Sequence, residues 1–551
     1  MNNYPENTRP QITPGIPNHG WLWFVVLFLA SLGTRLIVSS GLPPDPLPPV
    51  SSYPYALYNH FSSYFWYATL VPPLNYLLQA IPVFLLGPAG NAVSHGYLYL
   101  NFTLDIVASC LVFMSFRKLG LTYFMSLIIA MIFSLSLVPL ELWRSNFPMA
   151  HYDHYTPVLA SLLAYFCVRL AKDGMVKWVI AGASAAGSLI ILQLPTASYL
   201  VPALFFCIAI IEVWSRRLTS QRWLKIAALM VVPLLCILAL ISKSMVVNGI
   251  PSPSSKGGAA MMMFVQSAFK GNPSQVRQLA VESGAPDWYL WCYDNPTIPP
   301  DTLTENKQAW MQLARAFGIC MPWSGQPGVS GKPWPFDFNP LYERFHGEGN
   351  ETISHWIALD RYDSLNRPYL SMGVSPELSS RWIGIYGRVS LRAGIHLLKT
   401  QPLLYFNAAN KNYNELFWGK GPMFLARLSD DLSTRKYKFQ STFTVLNTTV
   451  TSALARAAYA ILPIACVISL MGLALSPKCA VNRKRVADSF RIYLLLGIVI
   501  WGSTVIYSGA VAVENDRYFV HILPYLVVVF GSLVKDIGDV VRGCLEKLHV
   551  F

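Results

Sequence analysis

Apolar residues in this chain gather into long unbroken runs, and the runs recur at both ends of the sequence. Runs of about the length that crosses a hydrocarbon core of roughly 30 Å centre on Trp21–Ile37, Tyr97–Met114, Phe124–Leu140, Thr156–Val168, Trp178–Leu192, Tyr199–Val213, Ile226–Ile241, Leu454–Leu475, Ile492–Tyr507 and Phe519–Leu533. The pattern predicts an all-α polytopic membrane protein with about ten transmembrane helices. One apolar run, Leu74–Leu86, is short for a span. It is opened by Pro72-Pro73 and closed by Gly87-Pro88, and it predicts a helix lying on the outer membrane surface.

Polar stretches divide the chain. Residues 1–20 read as a cytoplasmic tail, 21–245 as an amino-terminal membrane module with a long first external loop over 42–96, 246–450 as an external domain of mixed structure, and 451–551 as carboxy-terminal helices with a cytoplasmic tail. In the insertion, Pro300-Asp-Thr302-Leu-Thr-Glu305 is a capping-box start for a helix running through Ala316. A second helix is expected from Leu378 to about Leu398. Its apolar Trp382, Ile385, Val389 and Leu397 and basic Arg381, Arg388, Arg392 and Lys399 suit either packing on headgroups or an ordinary half-buried helix.

Composition supports this frame: 551 residues with 53% apolar and only 13% charged exclude a soluble protein of this length. The first run lacks the basic cluster and cleavage site of a secretory signal, so it reads as a retained span. With the amino terminus inside, the inner loops carry Arg117-Lys118, Arg169/Lys172/Lys177, Arg216-Arg217/Arg222/Lys225, Lys478/Arg483-Lys484-Arg485 and Lys535/Arg542/Lys547. That is the positive-inside bias at every inner loop. The net charge of +14 is therefore mostly topological, and no nucleic-acid partner is expected. Nine scattered cysteines read as apolar fillers; only Cys292 and Cys320 share the external domain, as a single candidate disulfide if that side is oxidising. Sequons at Asn101, Asn350 and Asn447 are of a kind that arises by chance.

Chemistry concentrates where one span should end and the next begin. Arg144, His151, Asp153 and His154 crowd a short stretch between two strongly apolar runs, and ionisable groups at that depth usually bind a ligand or move protons. Asp153 reads either as a functional carboxylate or as the N-cap of the fourth span ahead of Thr156-Pro157. His151 and His154 read as partners of Asp153, as contacts to a substrate, or as half of a metal site. No downstream ligand completes such a site, so no metal or cofactor is expected. Asp105 lies inside the second span, where pairing with Arg35 or Arg144 is the usual explanation of a charge.

The order of these features resembles the polytopic GT-C glycosyltransferases, the superfamily of the protein O-mannosyltransferases and the lipid A aminoarabinose transferase. Thr34-Arg35-Leu36 ends the first span. Pro72-Pro73-Leu74-Asn75-Tyr76 to Leu86-Gly87 matches the family's surface helix, and Phe116-Arg117-Lys118-Leu119-Gly120 its basic turn. Arg144-Ser145 with Asp153 parallels a Ser-Arg-x-x-x-x-Asp turn. Leu192-Gln-Leu-Pro195-Thr196-Ala197 parallels Leu-x-Lys-x-Thr-Ala without its lysine, and Glu514-Asn515-Asp516-Arg517-Tyr518 with Pro524 parallels a late Glu-Asn-x-Arg-Tyr. The external domain adds only Pro402-Leu-Leu-Tyr405.

The resemblance implies transfer of a sugar from a polyprenyl-phosphate donor, among membrane lipids, to a glycolipid, polysaccharide or protein acceptor at the external face. It puts the general base in the first external loop, where Asp45 is the one carboxylate; the sequence reading leaves Asp45 equally open as a solvated residue of a Pro-rich turn. It makes Arg517 the donor-phosphate clamp with Arg35 as partner; the competing reading of Arg517 is an interfacial anchor paired with Glu514 or Asp516. Tyr518, Tyr55 and His60 are candidates for sugar contacts or for interface anchors. The rival readings are a lipid or sugar transporter, or flippase, and a catalytically inactive scaffold of the same superfamily. Against transport stand the lack of an internal repeat, of a nucleotide-binding loop and of paired Gly/Pro-broken spans. Short connecting loops favour a bacterial inner membrane with the site facing the periplasm, although an endoplasmic reticulum protein with lumenal chemistry obeys the same topology.

Overall fold

The computed structural model describes residues 20–39, 58, 61, 65, 73–87, 91–143, 152–215, 220–254, 261, 264–265, 268–269, 272–285, 376–418, 438–475, 480–510 and 515–548. Among them are fourteen helices and no strand: α1 (Gly20–Ser39), α2 (Pro73–Leu86), α3 (Asn91–Leu119), α4 (Tyr123–Trp143), α5 (Tyr152–Asp173), α6 (Lys177–Ile191), α7 (Ala197–Ser215), α8 (Ser220–Asn248), α9 (Pro273–Glu282), α10 (Pro376–Thr400), α11 (Pro402–Trp418), α12 (Lys438–Leu475), α13 (Ala480–Ala510) and α14 (Asn515–Leu548).

Each of the ten expected apolar runs lies in a helix. Among the described residues, six helices are long and apolar enough to cross a membrane, while α2, α4, α6 and α7 supply shorter apolar stretches. The chain is an all-helical polytopic membrane protein. The spans of α3, α13 and α14 are more than half buried, whereas less than a quarter of those of α1, α8 and α12 is buried. Val25, Val26, Phe28 and Leu29 of α1, Leu235 and Leu238 of α8, and Ile464, Val467 and Ile468 of α12 all face outward. Apolar surface on that scale suits lipid. α5 is the hub of the bundle and packs against α3, α6, α13 and α14.

Charged residues of α3, α5, α13 and α14 meet at one end of the bundle. At the basic end, Lys118 of α3 meets Asp173 of α5, Lys172 of α5 meets Asp488 of α13, and Arg485 of α13 meets Asp539 of α14. Tyr493 and Ser489 of α13 donate to the Asp536 carboxylate at 2.6 and 3.1 Å. Partial burial pushes the Asp173 carboxyl up, but Lys118 and Arg169 outweigh it, and the group ends below the usual carboxylate range. Gly120 closes α3 at this end in the left-handed region (φ 98°), with its N–H and that of Leu121 both donating to the Phe116 carbonyl. That explains the Leu-Gly of the basic turn.

α2 is an inside-out helix. Leu77, Ile81, Phe84 and Leu85 are exposed, as suits lipid, while the inward face buries Asn75 and Gln79 among Tyr76, Ala80 and Val83. Gly87 ends it at φ 90°. The described part of the 246–450 insertion is helical: α9, α10 and α11 pack in succession, and α10 also rests on the end of α8. In α10, Val389, Ala393 and Leu397 are buried and Leu391, Ile395 and Leu398 exposed, so the helix has a core face and an outward apolar face. The expected helix at 300–316, Cys292, Cys320 and Asn350 lie outside the described residues. Asn101 is buried within a span, so its sequon cannot be glycosylated.

Candidate functional site

The end of the bundle away from the basic residues is organised by the turn between α6 and α7. The Leu192 carbonyl, which no longer has a helical donor, accepts from the Leu74 N–H at the start of α2 (2.8 Å). The Gln193 side-chain amide, fully buried, donates to Asn75 Oδ1 at 3.5 Å. Thr196 Oγ1 lies 3.3 Å from the Tyr507 hydroxyl at the end of α13, and that hydroxyl lies 2.9 Å from His521 Nδ1 on α14. Tyr507 and His521 are 1% and 2% exposed, which makes the chain a desolvated one. Such groups hold their geometry because an unmet hydrogen bond at that depth is costly. Beside it, Tyr405 and Asn412 of α11 donate to the carbonyls of Gly509 and Ser508 at 2.6 and 3.1 Å, so the insertion's last helix stoppers the end of α13.

The first external loop is tied to this end as well. Phe61 and Tyr58 lie against Phe84 of α2, with centroids 5.6 and 6.0 Å apart. The Lys243 ammonium of α8 donates to the Phe65 carbonyl at 2.6 Å. Tyr58 and Phe61 are therefore held at α2, and Phe65 at α8.

Of the expected site residues, Arg35 alone has a described side chain. It is 1% exposed, and its guanidinium donates to Ser134 Oγ (2.9 Å), the Ser134 carbonyl (3.2 Å) and the Ser31 carbonyl (3.3 Å), with Ser134 Oγ donating on to Ser31 Oγ. It is thus turned into the seam between α1 and α4. Asp153 and His154 lie in the first turn of α5, because that helix starts at Tyr152. The N-cap expected at Asp153 is therefore corrected to a first-turn position, where a carboxylate is still favoured by the helix dipole. Arg517 and Tyr518 lie in the first turn of α14. α5 and α14 pack against each other, and both begin at this end. Asp45, Tyr55, His60, Arg144, His151 and Glu514 lie outside the described residues.

Asp105 is fully buried on α3. Phe116 of α3 sits where a Cβ on Gly531 of α14 would be, so the two helices pack tightly there. Both run from lip to basic end, and the register puts Asp105 at the level of His521. Asn75 and Gln193 lie inside stretches that resemble the family's motifs but are not singled out there, and Tyr507 and His521 carry no motif in the sequence.

The chain is thus an all-helical membrane protein with a buried polar layer under one lip. No family model matches it, and no curated protein matches it. Among solved structures it is similar to the archaeal oligosaccharyltransferase AglB from Archaeoglobus fulgidus, in complex with an inhibitory peptide and a dolichol-phosphate: 12% identity, TM-score 0.35, covering 96% of this chain and 52% of that one. The chain thus spans about half the length of the archaeal protein. It is also similar to ArnT from Cupriavidus metallidurans in the apo state, at 14% identity, TM-score 0.28 and coverage of 88% and 78%, and to the same protein bound to undecaprenyl phosphate, at 13%, 0.29, 89% and 78%.

Proposed function

We propose that the chain is an integral membrane glycosyltransferase that moves one sugar from a polyprenyl-phosphate donor to a glycolipid, polysaccharide or protein acceptor at the lip opposite its basic end. The observation that carries this reading is the convergence on the Leu192–Thr196 turn of stretches in or beside one family's motifs. These are the start of α2 through Leu74 and Asn75, the turn itself and, by way of Tyr507 of α13, His521 of α14, which lies between Tyr518 and Pro524. A donor whose tail stays in the bilayer needs its reacting atoms at such a lip.

In the proposed displacement, the bond from the sugar's anomeric carbon to the phosphate oxygen breaks as the acceptor heteroatom bonds to that carbon. A carboxylate takes the acceptor's proton, an effect typically of ~10²–10⁴-fold. Asp45 is the base carried over from the resemblance, and Asp153 is the carboxylate in the first turn of α5. Arg517 holds the leaving phosphate through charge-assisted bonds, while Arg35 adds positive potential from beneath. Arg144, His151, His154, Glu514, Tyr518, Tyr55 and His60 serve sugar and acceptor contacts. The membrane proposed is a bacterial inner membrane, with the lip facing the periplasm.

The test is a transfer assay with purified protein and polyprenyl-phosphate sugars. Asp153→Asn and Arg517→Ala are expected to abolish transfer with detergent stability near wild type, and full activity in either variant removes that residue from the mechanism. Asp45→Asn tests the carry-over: retained turnover moves the base to Asp153.

A further inference from the structure

We infer that Thr196, Tyr507 and His521 form a positioning chain that fixes the head of α14, and with it Arg517, for binding the donor phosphate; the inference rests on the transferase reading above. Arg517 precedes His521 by four residues, one helical turn nearer the lip, about 6 Å along the axis. Three residues beyond His521 stands Pro524, which has no N–H to give the Val520 carbonyl. The head of α14 is therefore coupled to the rest of the helix by one bond fewer, and the His521–Tyr507 contact lies at that joint. Through Thr196 the chain continues into the turn whose Leu192 carbonyl holds the start of α2.

Thr196 Oγ1, the Tyr507 hydroxyl and His521 Nδ1 form a hydrogen-bonded chain that can run in either sense, and in both senses it orients the imidazole ring. A ring that only fills space needs no such bond, so shape and hydrogen bonding are separable by mutation.

The measurement is titration of full-length protein in nanodiscs with a synthetic polyprenyl monophosphate, with thermal midpoints recorded alongside. Tyr507→Phe and His521→Leu are expected to weaken binding by about 3- to 10-fold, the worth of one buried hydrogen bond. His521→Asn, which keeps a polar atom near the Nδ1 position, stays closer to wild type. Because the chain acts through Arg517, Tyr507→Phe adds nothing to Arg517→Ala in the double variant. The inference is overturned if Tyr507→Phe binds as wild type while Arg517→Ala does not, if His521→Leu equals His521→Asn, or if the two losses add. Unchanged binding in Arg517→Ala itself instead overturns the phosphate clamp of the transferase reading, and the positioning role with it.

Discussion

A fully buried guanidinium makes a sharp demand on this fold. Arg35 is held by Ser134 and the Ser31 carbonyl in the seam of α1 and α4. Ser134→Ala strips one acceptor from a desolvated cation, and a loss of about 1–3 kcal/mol is expected; a thermal midpoint in detergent equal to wild type would show that the seam does not depend on this bond. Arg35→Lys is expected to lose stability as well, since an ammonium cannot span the two Ser134 acceptors in the same planar fork. Arg35 was conspicuous in the sequence because a lone charge in an apolar run has few explanations. Tyr507 and His521 were not, because an aromatic or a histidine near the end of a span reads equally well as an interface anchor, and what makes them a chain is contact across more than three hundred residues between Thr196 and Tyr507.

Helix existence was legible because a run of apolar residues long enough to cross a bilayer has one common fate, and all ten runs lie in helices. Helix ends were not. α12 starts at Lys438, well before its apolar run, since nothing in a polar sequence outside the bilayer stops a helix already begun. α5 takes in Tyr152 and Asp153 for the same reason. Contact between elements yields two tests. Gly531 lets α14 approach Phe116 of α3, and a built Cβ there lies 2.3 Å from Phe116 Cε1. Gly531→Ala should cost about 1–3 kcal/mol by overpacking, read as a lowered unfolding temperature, and no change would mean the helices can part freely. At the basic end, the Asp173 carboxyl is depressed by Lys118 and Arg169 despite partial burial. A depressed carboxylate stabilises above its unfolded value, about 3.9, and its contribution is lost as pH falls through the lower folded value. Stability should therefore be insensitive to this group from neutral pH to about 4 and decline below it. Asp173→Asn should lower stability at neutral pH and flatten that acid limb; an unchanged acid limb would contradict the assignment.

On the scale of the whole molecule, the two ends are built differently. The basic end is tied by ion pairs that join α3, α5, α13 and α14, and the opposite lip by a desolvated polar layer centred on the α6–α7 turn. Charge placed along the sequence made the first end readable, because it follows a rule of orientation. The polar layer depends on which spans are neighbours, which no local pattern encodes. The central claim is that this lip holds a polyprenyl monophosphate at the head of α14. Native mass spectrometry of the detergent-purified protein, with added polyprenyl monophosphate, in wild type beside Arg517→Ala, tests it most directly. The account predicts a specific lipid adduct on wild type that weakens in the variant; no adduct on either protein, or equal adducts on both, would contradict it.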